Sequence, residues 1–305
     1  MFGGALQGAA AHRIRRPGAA RPRNATRRAL CCDAPSRYAG APTLLRDAAM
    51  SSHDITTAPM LFLHGAFGGP EIWTRFVAPW FAARGRRVAA PRLSPPAAPG
   101  RRGARLRDYV AAARAAADEL GGAPVVIGHS LGGLVAQHLA AERRMAGLIL
   151  VGSPGPYGIA PSLWRLSAQR PKVLAALILA QAGAGGLLGV ASARQALFTD
   201  AAPDDWVRKV AAPPTPESPL ALLDAMTWDL PNWLPTWLSD RRTPALALIG
   251  ERDAFIPMSD LVANAFAYRA QTDVLADMAH GAPIDPHWKR LAWRIEAWLE
   301  ERAAA

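Results

Sequence analysis

Short apolar runs alternate with longer amphipathic segments along most of the chain after residue 58. Apolar runs of a few residues bounded by Gly or Pro are typical of strands buried on both faces. They predict strands at residues 60–63, 87–90, 125–127, 148–151, 246–249 and 274–275. Apolar residues at helical spacing predict helices at residues 106–120, 131–143, 259–268 and 286–302. Strands alternating with helices indicate an α/β fold, a parallel sheet with helices on both faces.

The alternation breaks at about residues 155–242, a stretch rich in Pro, Trp and Leu. We expect an insertion that packs over one end of the sheet. Within it, residues 173–193 form a run of 21 residues without a charge, which is long enough to span a bilayer. Four Gly interrupt this run, and later strands must complete the same sheet, so we predict a buried lid helix and a Gly-rich turn. Surface contact with lipid stays open as an alternative.

The first 49 residues lack periodicity and predict a disordered tail. They hold nine Arg against two Asp, a net +7 of the total +11, so the remainder is only mildly basic. A nucleic-acid partner is therefore not expected for residues 50–305, which we predict to be one domain. Met50 offers a second start of translation, and an organelle-targeting tail is the alternative. We expect a cytoplasmic protein.

Half of the 305 residues are hydrophobic, which is enough for a sizeable core and excludes a wholly disordered chain. The two cysteines, Cys31 and Cys32, are adjacent. They provide neither a disulfide framework nor a CxxC metal pair.

Residues 128–133 read GHSLGG between a predicted strand and a predicted helix. A serine at such a sharp turn adopts strained backbone geometry, and flanking glycines let neighbouring backbone pass without clash. The hydroxyl of Ser130 then stands exposed above the sheet as a candidate nucleophile. The N–H groups at the start of the helix, beginning with Leu131, favour a developing negative charge.

Residues 64–69 read HGAFGG directly after the first predicted strand. Acyl transfer needs two backbone donors that face the oxyanion. We expect one from Leu131 and the other from Ala66, with Phe67 as second choice. We interpret His64 as ordering this loop by hydrogen bonds, in preference to a role as catalytic base.

Two further segments offer an acid and a base. Asp253, in the GERDAFIP segment after the strand at 246–249, is placed to orient an imidazole, and Glu251 is a weaker candidate. His280, in a loop after the last predicted strand, is placed to act as general base. His287, near the start of the closing helix, is its competitor.

The order of Ser130, Asp253 and His280, together with the HGAFGG loop, resembles the α/β-hydrolase superfamily, in particular its esterases and lipases. The resemblance covers about residues 58–302. It implies an eight-stranded, mostly parallel sheet, a helical lid after strand 6, and a catalytic triad that needs no metal or coenzyme. The first hairpin is missing here or lies before Met50. Short forms of this kind resemble the plant methylesterase and hydroxynitrile-lyase branch, as well as small bacterial esterases.

The resemblance implies a hydrolase of a carboxylic ester, small to medium in size and with an apolar or aromatic acyl part. The residues we expect at the substrate pocket are Phe67, His129, Trp164, Trp228 and Trp233. Thioesterase, lactonase, C–C hydrolase, perhydrolase and hydroxynitrile-lyase chemistry remain alternatives on the same fold. A catalytically silent ligand-binding protein is the alternative outside enzymes. The sequence leaves the substrate and the oligomeric state open.

Overall fold

The computed structural model describes residues 54–94, 103–238 and 243–305. The Arg-rich segment at 1–49, with its predicted disorder, lies outside these residues. The predicted insertion at 155–242 lies within them except for residues 239–242.

Within the described residues, six strands form one sheet in the order β2-β1-β3-β4-β5-β6. The strands are β1 Met60–Leu63, β2 Val88–Ala89, β3 Val125–His129, β4 Gly147–Val151, β5 Ala245–Gly250 and β6 Gln271–Leu275. All five neighbouring pairs are parallel. The carboxyl ends of the strands therefore meet at one edge of the sheet, where loops carry the candidate site residues.

The expected eight-stranded sheet is reduced to six strands in the described ranges. The described part of the chain begins with the short helix α1 Asp54–Thr57, which leads into β1. The alternative of a first hairpin before Met50 falls outside the described residues. The lid follows β4, the fourth strand in the described ranges.

Helices cover both faces of the sheet. In chain order after α1 they are α2 Glu71–Thr74, α3 Val77–Ala82, α4 Leu106–Leu120, α5 Leu131–Glu142, α6 Ala160–Gln169, α7 Pro171–Leu179, α8 Val190–Leu197, α9 Asp204–Val210, α10 Pro219–Leu223, α11 Leu234–Leu238, α12 Met258–Tyr268 and α13 Trp288–Ala303. Along β1 the side chains alternate between faces: Leu61 and Leu63 pack with α4, α5 and α12, whereas Met60 and Phe62 pack with α3 and α13. This alternation splits the core into two apolar layers.

The insertion between β4 and β5, which we call the lid, comprises α6 to α11. Its uncharged segment is less buried than the sequence predicts. A π-helical turn, Ala180–Ala184, and a 3-10 turn, Gly185–Leu187, interrupt the helix after α7, and Gly183 has φ +81°. Val173 is buried, but Ile178 and Leu187 are 61% and 83% exposed. The helix and Gly-rich turn are therefore found, whereas the burial is only partial. No helix in the described ranges has the length and apolar character needed to cross a membrane.

A three-ring stack fastens the lid to the body of the domain. The ring of Phe76 stacks on Trp206 of α9, with centroids 5.5 Å apart, and on Trp288 of α13, with centroids 5.4 Å apart. The indole N–H of Trp206 donates to the Ile284 carbonyl at 2.9 Å. These contacts bury one side of the lid against the start of the C-terminal helix.

Candidate active site

Ser130 lies at a sharp turn between β3 and α5. Its backbone has φ 53° and ψ −126°, and L-residues rarely adopt such a positive φ. Its backbone N–H donates to the Val151 carbonyl at the end of β4, at 3.1 Å. The strained turn is thus held by the sheet and by the first turn of α5. The first N–H groups of α5 have no acceptor within the helix, which places the Leu131 N–H among the candidate oxyanion donors.

Two glycines make this turn sterically feasible. A Cβ on Gly128 would lie 2.4 Å from the Gly132 carbonyl oxygen. A Cβ on Gly132 would lie 2.4 Å from the carbonyl oxygens of Leu63 and His64 in the neighbouring segment. Backbone atoms occupy the space in both cases, so a side chain could be accepted only if strand or helix moved.

Asp253 and His280 form a buried pair at the same edge of the sheet. The Nδ1–H of His280 donates to Asp253 Oδ2 at 2.8 Å. The other carboxylate oxygen, Oδ1, accepts the backbone N–H groups of Phe255 and Ile256, each at 2.8 Å. With both oxygens occupied, the carboxylate is fixed, and it fixes the imidazole in the tautomer whose Nε2 can accept a proton.

Gly152, just after β4, connects this pair with the serine turn. Its φ is +51°, and a Cβ there would lie 3.0 Å from Asp253 Oδ2 and 3.3 Å from His280 Nδ1. The carbonyl of the preceding residue, Val151, is the acceptor for the Ser130 N–H. Asp253 and His280 therefore pack against Gly152, and the residue before it binds the Ser130 turn. Sequence reasoning missed this glycine.

Neither sequence competitor joins this cluster. Glu251 is exposed, and its Oε2 accepts the Asp277 backbone N–H at 3.0 Å. The side chain of His287 is 58% exposed and lies 3.4 Å from Asp285. Among the residues that the structure describes, no group of three or more His, Cys, Asp or Glu could hold a metal ion.

The HGAFGG loop lies directly against the serine turn. A Cβ on Gly65 would lie only 2.8 Å from the Ser130 Cβ, so glycine permits the close approach. His64 Nε2 accepts the Leu93 N–H at 2.9 Å, and its Nδ1–H donates to the Gly65 carbonyl at 2.8 Å. Burial lowers the pKa of His64 and keeps the ring neutral. Both ring nitrogens thus hold the loop, as the sequence interpretation expects.

The two candidate oxyanion donors of this loop differ in their partners. The Phe67 N–H donates to the Glu217 carboxylate, Oε2, at 3.2 Å. It is therefore already engaged, which argues against the second choice of the sequence analysis and leaves Ala66 as the candidate. Phe67 itself has φ +61°, a left-handed conformation that costs an L-residue about 1–2 kcal/mol.

His129 is buried against His280 and does not line a pocket. It is 2% exposed, and its Nε2–H donates to the His280 carbonyl at 2.8 Å. Among the described residues its Nδ1 has no hydrogen-bond partner. Burial, followed by the nearby His280, lowers the pKa of His129 to about 3. The structure thus replaces the predicted substrate contact with a structural role.

The tryptophans predicted at the pocket are dispersed over the lid. Trp164 and Trp228 are 78% and 79% exposed and so are not enclosed. Trp233 lines an open groove of about 430 Å³ with Tyr157 and Phe266, between the lid and α12. Ser130, Asp253 and His280 do not line that groove, so Trp233 faces a groove separate from the candidate triad.

Three lid contacts at the site were not found from the sequence. Glu217 binds the Phe67 N–H, and Tyr109 of α4 donates its hydroxyl to the same carboxylate. The Gly281 N–H, next to His280, donates to the Leu197 carbonyl at 2.7 Å. One signal for Glu217 was available, because it is the only charged residue between 211 and 223.

A parallel sheet with a strained serine between strand and helix, beside a buried His–Asp pair, defines a hydrolase-type α/β fold. The alpha/beta hydrolase family matches residues 60–293, and the chain belongs to that family. Among curated proteins, none matches the chain.

Solved structures show the same fold at low identity. They include a thermophilic esterase from Thermogutta terrifontis, with TM-score 0.59 and 21% identity over 81% of this chain and 90% of that one. A pyrethroid hydrolase from Sphingobium faniae JZ-2 has TM-score 0.59 and 20% identity over 82% of this chain and 100% of that one. A structure from a study of Nitrososphaera gargenis carboxylesterases has TM-score 0.58 and 16% identity over 81% of this chain and 93% of that one.

Proposed function

We propose that this chain is a serine hydrolase that cleaves a carboxylic ester of small to medium size through an acyl-enzyme. The observation that carries the proposal is the strained Ser130 turn at the same sheet edge as the buried His280–Asp253 pair. A hydroxyl held at such a turn beside an oriented imidazole is the arrangement that makes serine nucleophilic.

In the proposed reaction, Ser130 Oγ attacks the ester carbonyl carbon while His280 Nε2 takes the hydroxyl proton. The N–H groups of Ala66 and Leu131 stabilise the resulting oxyanion. The intermediate collapses, the C–O bond to the alcohol breaks, and His280 returns the proton to the leaving alcohol. Water then attacks the acyl-enzyme and gives a proton to His280. The C–O bond to Ser130 breaks, His280 returns the proton to Ser130 Oγ, and the acid is released. Asp253 holds the imidazole and stabilises its charged form in both halves.

The apolar preference of the substrate rests on the lid. Residues 173–193 carry no charge, and several of their side chains face solvent instead of the core. Gln181 of this segment binds Glu217, whose carboxylate reaches the HGAFGG loop. We therefore expect this apolar segment to favour uncharged acyl groups.

The test combines a fluorophosphonate probe with a chain-length series of p-nitrophenyl esters and thioesters. We expect the probe to label Ser130, and Ser130→Ala to lower ester turnover by about 10⁴-fold or more with folding intact. Ser153→Ala is the matched control, because Ser153 follows the neighbouring strand but is buried, with its hydroxyl bound to the Pro154 carbonyl. Wild-type turnover in Ser130→Ala would contradict the proposal.

A further inference from the structure

A buried carboxylate of the lid reaches the HGAFGG loop. Glu217 lies in the proline-rich connection between α9 and α10 and is 6% exposed. In the described part of the chain no Lys or Arg forms an ion pair with it. Burying a carboxylate without a cation is costly unless hydrogen bonds satisfy its oxygens. The hydrogen-bond donors around Glu217 therefore show which segments its carboxylate holds.

Three donors converge on this carboxylate. Oε2 accepts the Phe67 N–H at 3.2 Å, while Oε1 accepts the Ser218 N–H at 3.1 Å and the hydroxyl of Tyr109. Burial, together with the hydrogen bond to Glu217, raises the pKa of Tyr109, so this hydroxyl stays a donor. Of the two carboxylate oxygens, Oε1 thus binds Ser218 and Tyr109, whereas Oε2 binds only the HGAFGG loop, at Phe67.

The lid also fixes Glu217 itself and the far side of Phe67. The Gln181 amide accepts the Glu217 N–H at 3.1 Å and donates to the Glu217 carbonyl at 2.8 Å. The Thr215 N–H donates to the Phe67 carbonyl at 3.0 Å. Both polar backbone groups of Phe67 are therefore bound by one short lid segment, residues 215–217.

Phe67 needs such support because its φ is +61°, where a Phe is disfavoured. Its N–H belongs to the peptide plane that follows Ala66, so the direction of that plane sets the backbone at Ala66. We infer that Glu217 is a positioning residue that holds the Ala66 N–H toward the oxyanion. This inference rests on the proposed serine hydrolase function.

Simple docking of the lid is the competing account, and Asp224 provides a matched control for it. Asp224 is also a lid carboxylate, 1% exposed, and it accepts the Leu106 N–H at 3.1 Å and the Arg105 guanidinium. It ties the lid to the start of α4 without touching the HGAFGG loop. Removing either carboxylate leaves a buried backbone N–H without its acceptor, but only one of these belongs to the loop.

The experiment compares Glu217→Leu with Asp224→Leu in the full chain. It measures kcat and KM on a p-nitrophenyl ester, inhibition by an arylboronic acid that mimics the tetrahedral intermediate, and the rate of fluorophosphonate labelling. We expect Glu217→Leu to lower kcat, labelling and boronate affinity by a common factor of about 10–100, with KM changed less than about twofold. Glu217→Gln keeps an acceptor for Phe67 and is expected to recover most of this loss. Asp224→Leu is expected to keep kcat and boronate affinity within about threefold.

Equal losses in Glu217→Leu and Asp224→Leu, or wild-type boronate affinity in Glu217→Leu, would overturn the inference while Ser130-dependent activity stands. If Glu217→Leu does not fold, Glu217→Asp decides, because the shorter side chain keeps the charge but not the reach to Phe67. Unchanged boronate affinity in Glu217→Asp then overturns the inference. A wild-type protein that the fluorophosphonate does not label overturns the proposed function, and the inference falls with it.

Discussion

Two turns of the site, at Ser130 and at Phe67, hold a non-glycine residue at positive φ, 53° and 61° respectively. The Ser130 turn is stabilised by its immediate neighbours along the chain and by the adjacent strand. The Phe67 turn is stabilised by Glu217 and Thr215, which lie about 150 residues away in the lid. Two backbone positions with a similar steric cost are thus maintained by different means.

This difference decides what each turn depends on. The Ser130 turn belongs to the sheet and persists as long as the sheet does. The HGAFGG loop depends on a separate layer of helices that must be in place. In this enzyme fold, a strained residue is secured either by glycines nearby or by hydrogen bonds from a distant segment.

The largest effect is expected where the Ser130 turn meets β1. A Cβ in Gly132→Ala would lie 2.4 Å from two backbone oxygens, so α5 and β1 must separate. We expect a loss of about 3 kcal/mol or more in the free energy of unfolding, measured by urea denaturation. Gly68→Ala, in the HGAFGG loop, is the control, because a Cβ there meets nothing within 4 Å. An equally stable Gly132→Ala protein would remove the steric basis of the comparison.

The second prediction concerns His129, which lies between the two turns. Its pKa in the folded protein is about 3, below the ordinary value of 6.5. Below pH 6.5 the unfolded chain takes up a proton that the folded protein does not, so stability falls as pH drops. This site alone should cost about 2 kcal/mol between pH 7.5 and pH 5.

We expect His129→Gln, whose amide can still donate to the His280 carbonyl, to lose about 2 kcal/mol less stability than wild type over that interval. Urea titrations at several pH values measure the difference. His287→Gln, at an exposed position, controls for the removal of a histidine in general. Parallel pH profiles for wild type and His129→Gln would show that burial of His129 does not govern this dependence.

The smallest effect is a coupling between Phe67 and Glu217. Glycine adopts positive φ without the cost that Phe carries, so the loop should need less help in Phe67→Gly. In a double-mutant cycle on kcat/KM, we expect Glu217→Leu to be about fivefold less harmful when combined with Phe67→Gly, a coupling of about 1 kcal/mol. If the two substitutions have additive effects on kcat/KM, the role of Glu217 does not depend on the strain at Phe67.

Much of the fold could be predicted because its buried strands are local apolar runs. Strand β1 has the predicted bounds, and α4 also has the predicted bounds. Strand β6 is longer than predicted, since it begins with the polar residues Gln271, Thr272 and Asp273 at the exposed edge of the sheet. An edge strand needs no continuous apolar run, so periodicity finds only its buried end.

The predictability of the site residues differs in the same way as the two turns: local neighbours could be predicted, and distant contacts could not. Residues that follow strands, such as Ser130, Asp253 and His280, carry local motifs, so the sequence alone could name them as candidates. Glu217 and Gly152 act through contacts with distant segments, and no local spacing relates them to the loop or pair that they touch. The lid tryptophans were predicted at the substrate pocket, but two of them are exposed to solvent. Composition indicates that a segment is apolar but not which way its side chains point.

The stack of Phe76 between Trp206 and Trp288 has a consequence for protein engineering. One ring comes from the lid, one from the segment after the HGAFGG loop, and one from the beginning of the C-terminal helix. Transplanting this lid onto another hydrolase would therefore also require its two aromatic anchors. Exchange of α6–α11 alone would leave the indole of Trp206 without its stacking partner Phe76 and its hydrogen-bond acceptor, the Ile284 carbonyl.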